Sequence, residues 1–292
     1  MFCQLLFNIA LSVALYSVIA ISFSVVYSAM RLFNMAHAIT ITIGAYLVNT
    51  VSFILGYSIW VAIPLTVLFV VIMILAVNEW IYKPLQKFQL ASWQLMIASL
   101  GVYVVLQNLV SIIWGDSTLS FRTWEIRIGH EFFGAYVTNV QIITLITCIV
   151  LLVLVWLFMV KTNIGKQIKA VSSNNELSAI LGLNKNRVIM WSVAIGTGLA
   201  AFAGILIAAD TDMTPTMGFN WLLYAVVAMI IGGMGKFRYL FLGALLLATA
   251  QHLAAYYLDS KWMNATAYII LIVFLFFRPT GFSGKRLKKS SI

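Results

Sequence analysis

Nine runs of predominantly apolar residues follow one another along this chain, at about 5–28, 36–55, 59–78, 92–114, 138–160, 188–209, 221–235, 237–258 and 262–277. A helix needs roughly 20 such residues to cross the hydrocarbon core of a bilayer. The runs are continuously apolar rather than alternating, so the expected spanning elements are helices and not the strands of a barrel. Composition closes off the soluble alternative. The 292 residues are 63% hydrophobic and 9% charged, whereas a soluble domain is about half apolar and about a quarter charged. In water that excess would leave large exposed apolar patches. The expected fold is all-α: a polytopic transmembrane helix bundle of about 8–9 spans, one transmembrane domain over 1–292 embedded in the lipid bilayer.

The first run has no Lys or Arg before Arg31, which argues against a basic-headed signal peptide and predicts a retained spanning helix. The seventh run is short, and Gly232, Gly233 and Gly235, pathway or gating candidates together with Asn34 and His37, crowd its end. A half-helix or re-entrant segment is therefore open beside a full span. If the amino terminus lies outside and the chain alternates, only Arg122, Arg127 and Lys261 of the 18 basic residues fall outside. The basic excess on the inner side sets this orientation and places the basic tail 278–292 in the cytoplasm. The net charge of +10 is thus scattered over short inner loops and the tail. That is a topology signal, not the continuous basic face of a nucleic-acid binder. Cys3 and Cys148 lie in apolar runs and are expected to be free thiols, with no disulfide framework and no metal site.

Two loops exceed simple connectors. In the outer loop 115–137, Trp124, Ile126 and Ile128 alternate with Glu125 and Arg127, the period of a strand. Gly129-His130 is expected to turn that strand back as a small hairpin, either a cap on the bundle or a docking surface. The inner loop 161–187 reads as two short amphipathic helices. One runs from Ile164 through Ile168 and Val171; the other follows Asn174-Asn175, places Leu177, Ile180 and Leu181 on one face, and stops at Gly182. Such a pair either docks a partner or lies flat on the membrane surface.

Chemistry is sparse. Gly235-Lys236 is followed by Phe237 where a phosphate-binding loop needs a hydroxyl, and Ile230 stands where its first glycine belongs. The expectation is a non-enzyme with no cofactor of its own. His37, His130 and His252 fall on different segments and form no zinc or protease constellation. The acids sit near span ends, which weakens a proton- or sodium-driven relay. Energy for active transport would then enter through another subunit, with 161–187 as the point of entry. Asn34 and His37, between Arg31 and the second run, are either a satisfied helix-end pair or a gate. The pairs and triplets Gly196-Thr197-Gly198, Ala200-Ala201, Ala203-Gly204 and Gly243-Ala244 predict close helix packing.

Several of these residues carry a resemblance. Leu32-Phe33-Asn34-Met35-Ala36-His37-Ala38 followed by Gly44-Ala45-Tyr46-Leu47 resembles the signature of branched-chain amino-acid ABC transporter permeases of the LivH type. Pro215-Thr216-Met217-Gly218, Gly232-Gly233-Met234-Gly235 and Phe277-Arg278-Pro279-Thr280-Gly281-Phe282 resemble later landmarks in the same order. In the inner loop, Gly165, Ala170, Val171, Asn175, Glu176, Ala179, Leu181 and Gly182 resemble that family's coupling region. The resemblance implies an importer in a bacterial cytoplasmic (inner) membrane. A second permease subunit would complete the pathway, and two cytoplasmic ATPase subunits would consume the ATP. An extracytoplasmic solute-binding protein would deliver the solute. It also implies ATPase coupling through Gly165, Ala170, Asn175, Glu176, Ala179 and Gly182. Ala38 and Lys236-Phe237-Arg238 depart from the family pattern and leave the solute open between branched-chain amino acids and related small polar molecules. The alternative is a stand-alone channel for a small neutral solute such as urea, which has no need of the inner helix pair.

Overall fold

The computed structural model describes residues 2–88, 90–121, 129–132, 134–233, 237–278 and 281–282. In chain order the helices are α1 (Phe2–Met30), α2 (His37–Asn49), α3 (Ile59–Val77), α4 (Lys83–Lys87), α5 (Ser92–Trp114), α6 (Asn139–Lys161), α7 (Asn163–Ser173), α8 (Asn175–Ile180), α9 (Lys185–Asp210), α10 (Met217–Gly232), α11 (Phe237–Tyr257) and α12 (Trp262–Phe277). A π-helical turn at Thr50–Ile54 extends α2, and another at Asn78–Tyr82 joins α3 to α4. Among the described residues, seven of the resulting rods are long and apolar enough to cross a membrane; α10 and α12, at 16 residues each, are shorter. At 1.5 Å per residue those two reach about 24 Å, against a hydrocarbon core of about 30 Å.

The rods separate into a centre and a shell. In α1 89% of the most apolar stretch is buried, whereas the corresponding shares in α3, α5 and α6 are 22%, 17% and 22%. α1 packs against α6, α7, α9, α10 and α11, and α2 lies between α9, α10, α3 and α5. Association in lipid depends on close van der Waals fit rather than on expulsion of water, and the small residues supply it. A Cβ on Gly44 would lie 2.5 Å from the Ala201 carbonyl oxygen, and one on Gly204 would overlap the Ile41 carbonyl. The expected packing role of Ala200-Ala201 and Ala203-Gly204 is therefore realised at the crossing of α2 and α9.

Local signals start several helices. The Thr138 hydroxyl accepts from Gln141 N–H and the Gln141 side chain accepts from Thr138 N–H, which caps α6 reciprocally. The Thr162 hydroxyl accepts from Gly165 N–H at 3.0 Å to open α7, and Asn184 Oδ1 accepts from Arg187 N–H at 3.1 Å to open α9.

The two long loops lie at opposite ends of the bundle. At one end Gln4 Oε1, in the first turn of α1, accepts from Tyr136 N–H at 2.8 Å. At the other, the Arg31 guanidinium just beyond α1 donates to the Ser172 carbonyl of α7. The hairpin differs in detail from expectation. His130–Phe132 (β1) pairs antiparallel with Ala135–Val137 (β2), so His130 is a strand residue opposite Val137 and not a turn residue. Gly134, at φ +77°, occupies the turn, where an L side chain would be strained. The alternating segment Trp124–Ile128 lies outside the described residues.

Candidate functional site

α2 does not begin at the surface. After Met30 the chain turns through Arg31, whose φ of 55° is left-handed, and runs without helix to His37. Met35 N–H donates to Ser99 Oγ at 2.9 Å, in the second turn of α5. His37 Nε2 lies 2.6 Å from Ser22 Oγ, about two turns back from the end of α1. The start of α2 is thus sunk well inside the bundle. A break at that depth exposes backbone groups that no lipid can satisfy, so protein must satisfy them. Asn34 Oδ1 accepts from Ala36 N–H at 3.1 Å and from the Tyr82 hydroxyl at 2.9 Å. Asn34 and His37 are both buried. The structure therefore brings them together as satisfied groups, with Ser22 as the partner of His37 and Tyr82 as the partner of Asn34, while Ser99 holds the Met35 N–H between them; sequence patterning had not singled out these three. Tyr82→Phe removes one donor from the buried Asn34 and is expected to cost about 1 kcal/mol of stability, read as a lower melting temperature in detergent with the fold intact.

α10 begins deeper still. Tyr16, the central residue of α1, packs its ring 5.7 Å from Trp221 and 5.4 Å from Tyr224. Tyr103, the central residue of α5, packs 5.3 Å from Phe219. Two independent midpoints place the first turns of α10 at half depth. Gly218 N–H donates to Thr42 Oγ1 at 3.1 Å, which joins the start of α10 to the first turns of α2. α2 and α10 thus run in opposite sense, and their first turns meet inside the bundle. The seventh run, left open between a half-helix, a re-entrant segment and a full span, is α10 (Met217–Gly232), which begins four residues earlier than the apolar run because Met217–Asn220 includes small and polar residues that hydropathy discounts. Gly232 and Gly233 lie at its far end. Gly232 sits against the Tyr239 and Leu240 backbone of α11, and Gly233 ends the helix at φ 101°. Neither joins Asn34 and His37, and Gly235 is outside the described residues.

The inner-loop pair is formed with the expected caps and stop. Asn174 Oδ1 accepts from Leu177 N–H at 3.0 Å, and Gly182 follows α8 at φ +78°. Gly165 is a packing residue: a Cβ there would lie 2.5 Å from the Phe158 carbonyl oxygen of α6. Ile168 and Val171 on the same helix are buried, and Ala170 is half-buried. Asn175, Glu176 and Ala179 fall on α8. Leu177, Ile180 and Leu181 are 52%, 80% and 70% exposed, an apolar patch with no cover among the described residues. The α7 helix packs on α1, α6 and α9, and the Arg31–Ser172 bond ties it to the break before α2.

A membrane-embedded bundle with two helices starting inside it, and an amphipathic pair fixed to one end, defines a polytopic permease. Comparison with known proteins gives the family. Residues 5–277 match the sequence model described as branched-chain amino acid transport system / permease component, and the chain belongs to that family. The high-affinity branched-chain amino acid transport system permease protein LivH of Escherichia coli (strain K12) is 26% identical over 97% of this chain and 96% of its own length. The corresponding protein BraD of Pseudomonas aeruginosa is 26% identical over 92% of each. Among solved structures, PsaBC from Streptococcus pneumoniae in complex with Fab superposes with a TM-score of 0.53 at 14% identity, covering 95% of this chain and 93% of that one. That last likeness is one of fold alone.

Proposed function

We propose that this chain is a transmembrane subunit of an ATP-driven importer for a branched-chain amino acid or a closely related small polar solute. The names of its relatives support the solute class. The observation that carries the coupling is the α7–α8 pair, which presents Leu177, Ile180 and Leu181 outward while α7 is built into the bundle against α1 and α9. A stand-alone channel has no use for such a pair. In this reading ATP is hydrolysed on two partner subunits, a second permease completes the pathway, and a soluble binding protein meets the hairpin end. The amino terminus is outside and the tail is cytoplasmic, following the basic residues. The chain itself holds no cofactor and does no covalent chemistry.

The mechanism is a two-state rocking of the bundle. Movement of docked ATPases is received on α8 and passed to α7. From there the Arg31–Ser172 bond and the packing of α7 on α1 lead to the break at Arg31–Ala36, where α2 begins. Asn175, Glu176, Ala179 and Gly182 act in reception, while Gly165 and Ala170 seat α7 for transmission. Asn34 and His37 hold the break in one arrangement at a time.

Arg31 separates transmission from folding. Its backbone is left-handed, a conformation glycine adopts without strain. Arg31→Gly is therefore expected to leave the assembled amount unchanged while lowering uptake per ATP hydrolysed, because only the bond to Ser172 is lost. Wild-type coupling in Arg31→Gly would remove Arg31 from the transmission path. The reading as a whole is tested in proteoliposomes holding the permease pair, the ATPases and the binding protein. Uptake of radiolabelled leucine is expected only with both ATP and binding protein present. Leucine or urea flux without ATP would establish the channel instead.

A further inference from the structure

Outward faces in lipid are read by what they expose. Along α3 from Trp60 to Ile72, every exposed side chain is apolar, and the same holds along α6 from Ile143 to Trp156. The upper part of α10 behaves differently. Thr216 immediately precedes the helix, and Thr216, Asn220 and Tyr224 recur at four-residue spacing, which places them on one face. Thr216 and Asn220 are exposed and Tyr224 is half-buried. This face lies at half depth, as the Tyr16 and Tyr103 contacts fix it. The Tyr224 hydroxyl donates to Asn264 Oδ1, so α12 continues the face sideways with Asn264 and, one turn on, Tyr268, both exposed. Two hydroxyls and two carboxamides are thus exposed, with the half-buried Tyr224 hydroxyl between them, at a level where every exposed side chain of α3 and α6 is apolar. Polar side chains at such depth face a wet cavity or a protein interior, not lipid.

We infer that the face formed by Thr216, Asn220, Tyr224, Asn264 and Tyr268 lines the solute pathway. This rests on the importer reading and deepens it. None of the five carries a formal charge, and a carboxamide both donates and accepts. The lining therefore suits a small zwitterionic or neutral polar solute that brings no net charge into the membrane. The pathway runs along the α10–α12 side of the bundle, away from α3 and α6.

The test is water access in the complete transporter, in right-side-out membrane vesicles. The background is Cys3→Ser, since Cys3 is exposed and Cys148 is buried. Asn220→Cys, Thr216→Cys and Asn264→Cys are compared with Leu68→Cys on α3, using a charged methanethiosulfonate reagent with and without ATP-driven turnover. A thiol facing hydrocarbon does not ionise, so the three pathway variants are expected to react at least about tenfold faster than the Leu68→Cys control in one of the two conditions. If all three react at the control rate in both conditions, the face is sealed by lipid or protein and the inference is overturned. The readout does not depend on the solute. Fast labelling together with ATP-independent flux would reject the importer and keep the wet face.

Discussion

Replacing Ile180 and Leu181 together by glutamate is expected to release the ATPase from the permease and abolish uptake, with the amount of permease in the membrane unchanged. The two side chains are 80% and 70% exposed, so removing them takes nothing from the bundle. Their apolar surface is available only to something that docks on it. Interface anchors of this kind typically cost 2 kcal/mol or more each when lost. A combined loss of about 4 kcal/mol is nearly a thousandfold in Kd. Co-purification of the ATPase with the tagged permease measures it, with ATP-dependent uptake as the functional counterpart. The competing arrangement has α8 lying flat on the membrane surface. In that case the two glutamates would loosen α8 from lipid, and ATPase recovery would stay at the wild-type level. Such a result would move the docking surface away from α8.

The sequence and the structure agree where the determinants are local. The apolar runs mark the helices because a spanning segment must satisfy its own backbone. The α7–α8 pair is legible because its period, the Asn174 cap and the Gly182 stop all lie within a few residues of one another. Depth is another matter. Whether a helix starts at the surface or inside the bundle depends on which distant residues meet it, such as Ser99 for Met35 and Tyr103 for Phe219. Hydropathy has no term for such meetings. Asn34 and His37 stand out in sequence because they are polar beside a span, but Ser22 sits within an apolar run and Tyr82 in the short connector after the third run, and both look like filler. The hairpin shows a related limit. Gly129-His130 reads as the turn from composition, but strand pairing of His130 with Val137 moves the turn to Gly134.

Gly204→Leu is expected to prevent the protein from accumulating, whereas Gly198→Ala is expected to be neutral or mildly stabilising. Both glycines lie on α9, six residues apart, and composition alone gives no reason to separate them. The difference is what each faces. Around Gly198 the nearest atoms to an added Cβ are methyl groups of Val67 and Val71 at 3.6 Å, which is ordinary contact. Alanine there also removes the conformational freedom of glycine from the unfolded chain, worth about 0.5–1 kcal/mol in a helix. Around Gly204 the nearest atoms are the Ile41 carbonyl oxygen, carbon and Cα. These belong to backbone and cannot rotate away. Overpacking costs about 1–3 kcal/mol even where side chains can yield, and here α2 itself must move. Its first turn carries His37 against Ser22, and the preceding residues carry Asn34 against Tyr82. Displacing α2 therefore also strands buried polar groups, at about 1–3 kcal/mol each. The measurement is the monodisperse fraction of detergent-extracted protein on size-exclusion chromatography. Equal yields of the two variants would show that α2 and α9 are not packed backbone to backbone, and the placement of α2 deep in the bundle would fall with that contact.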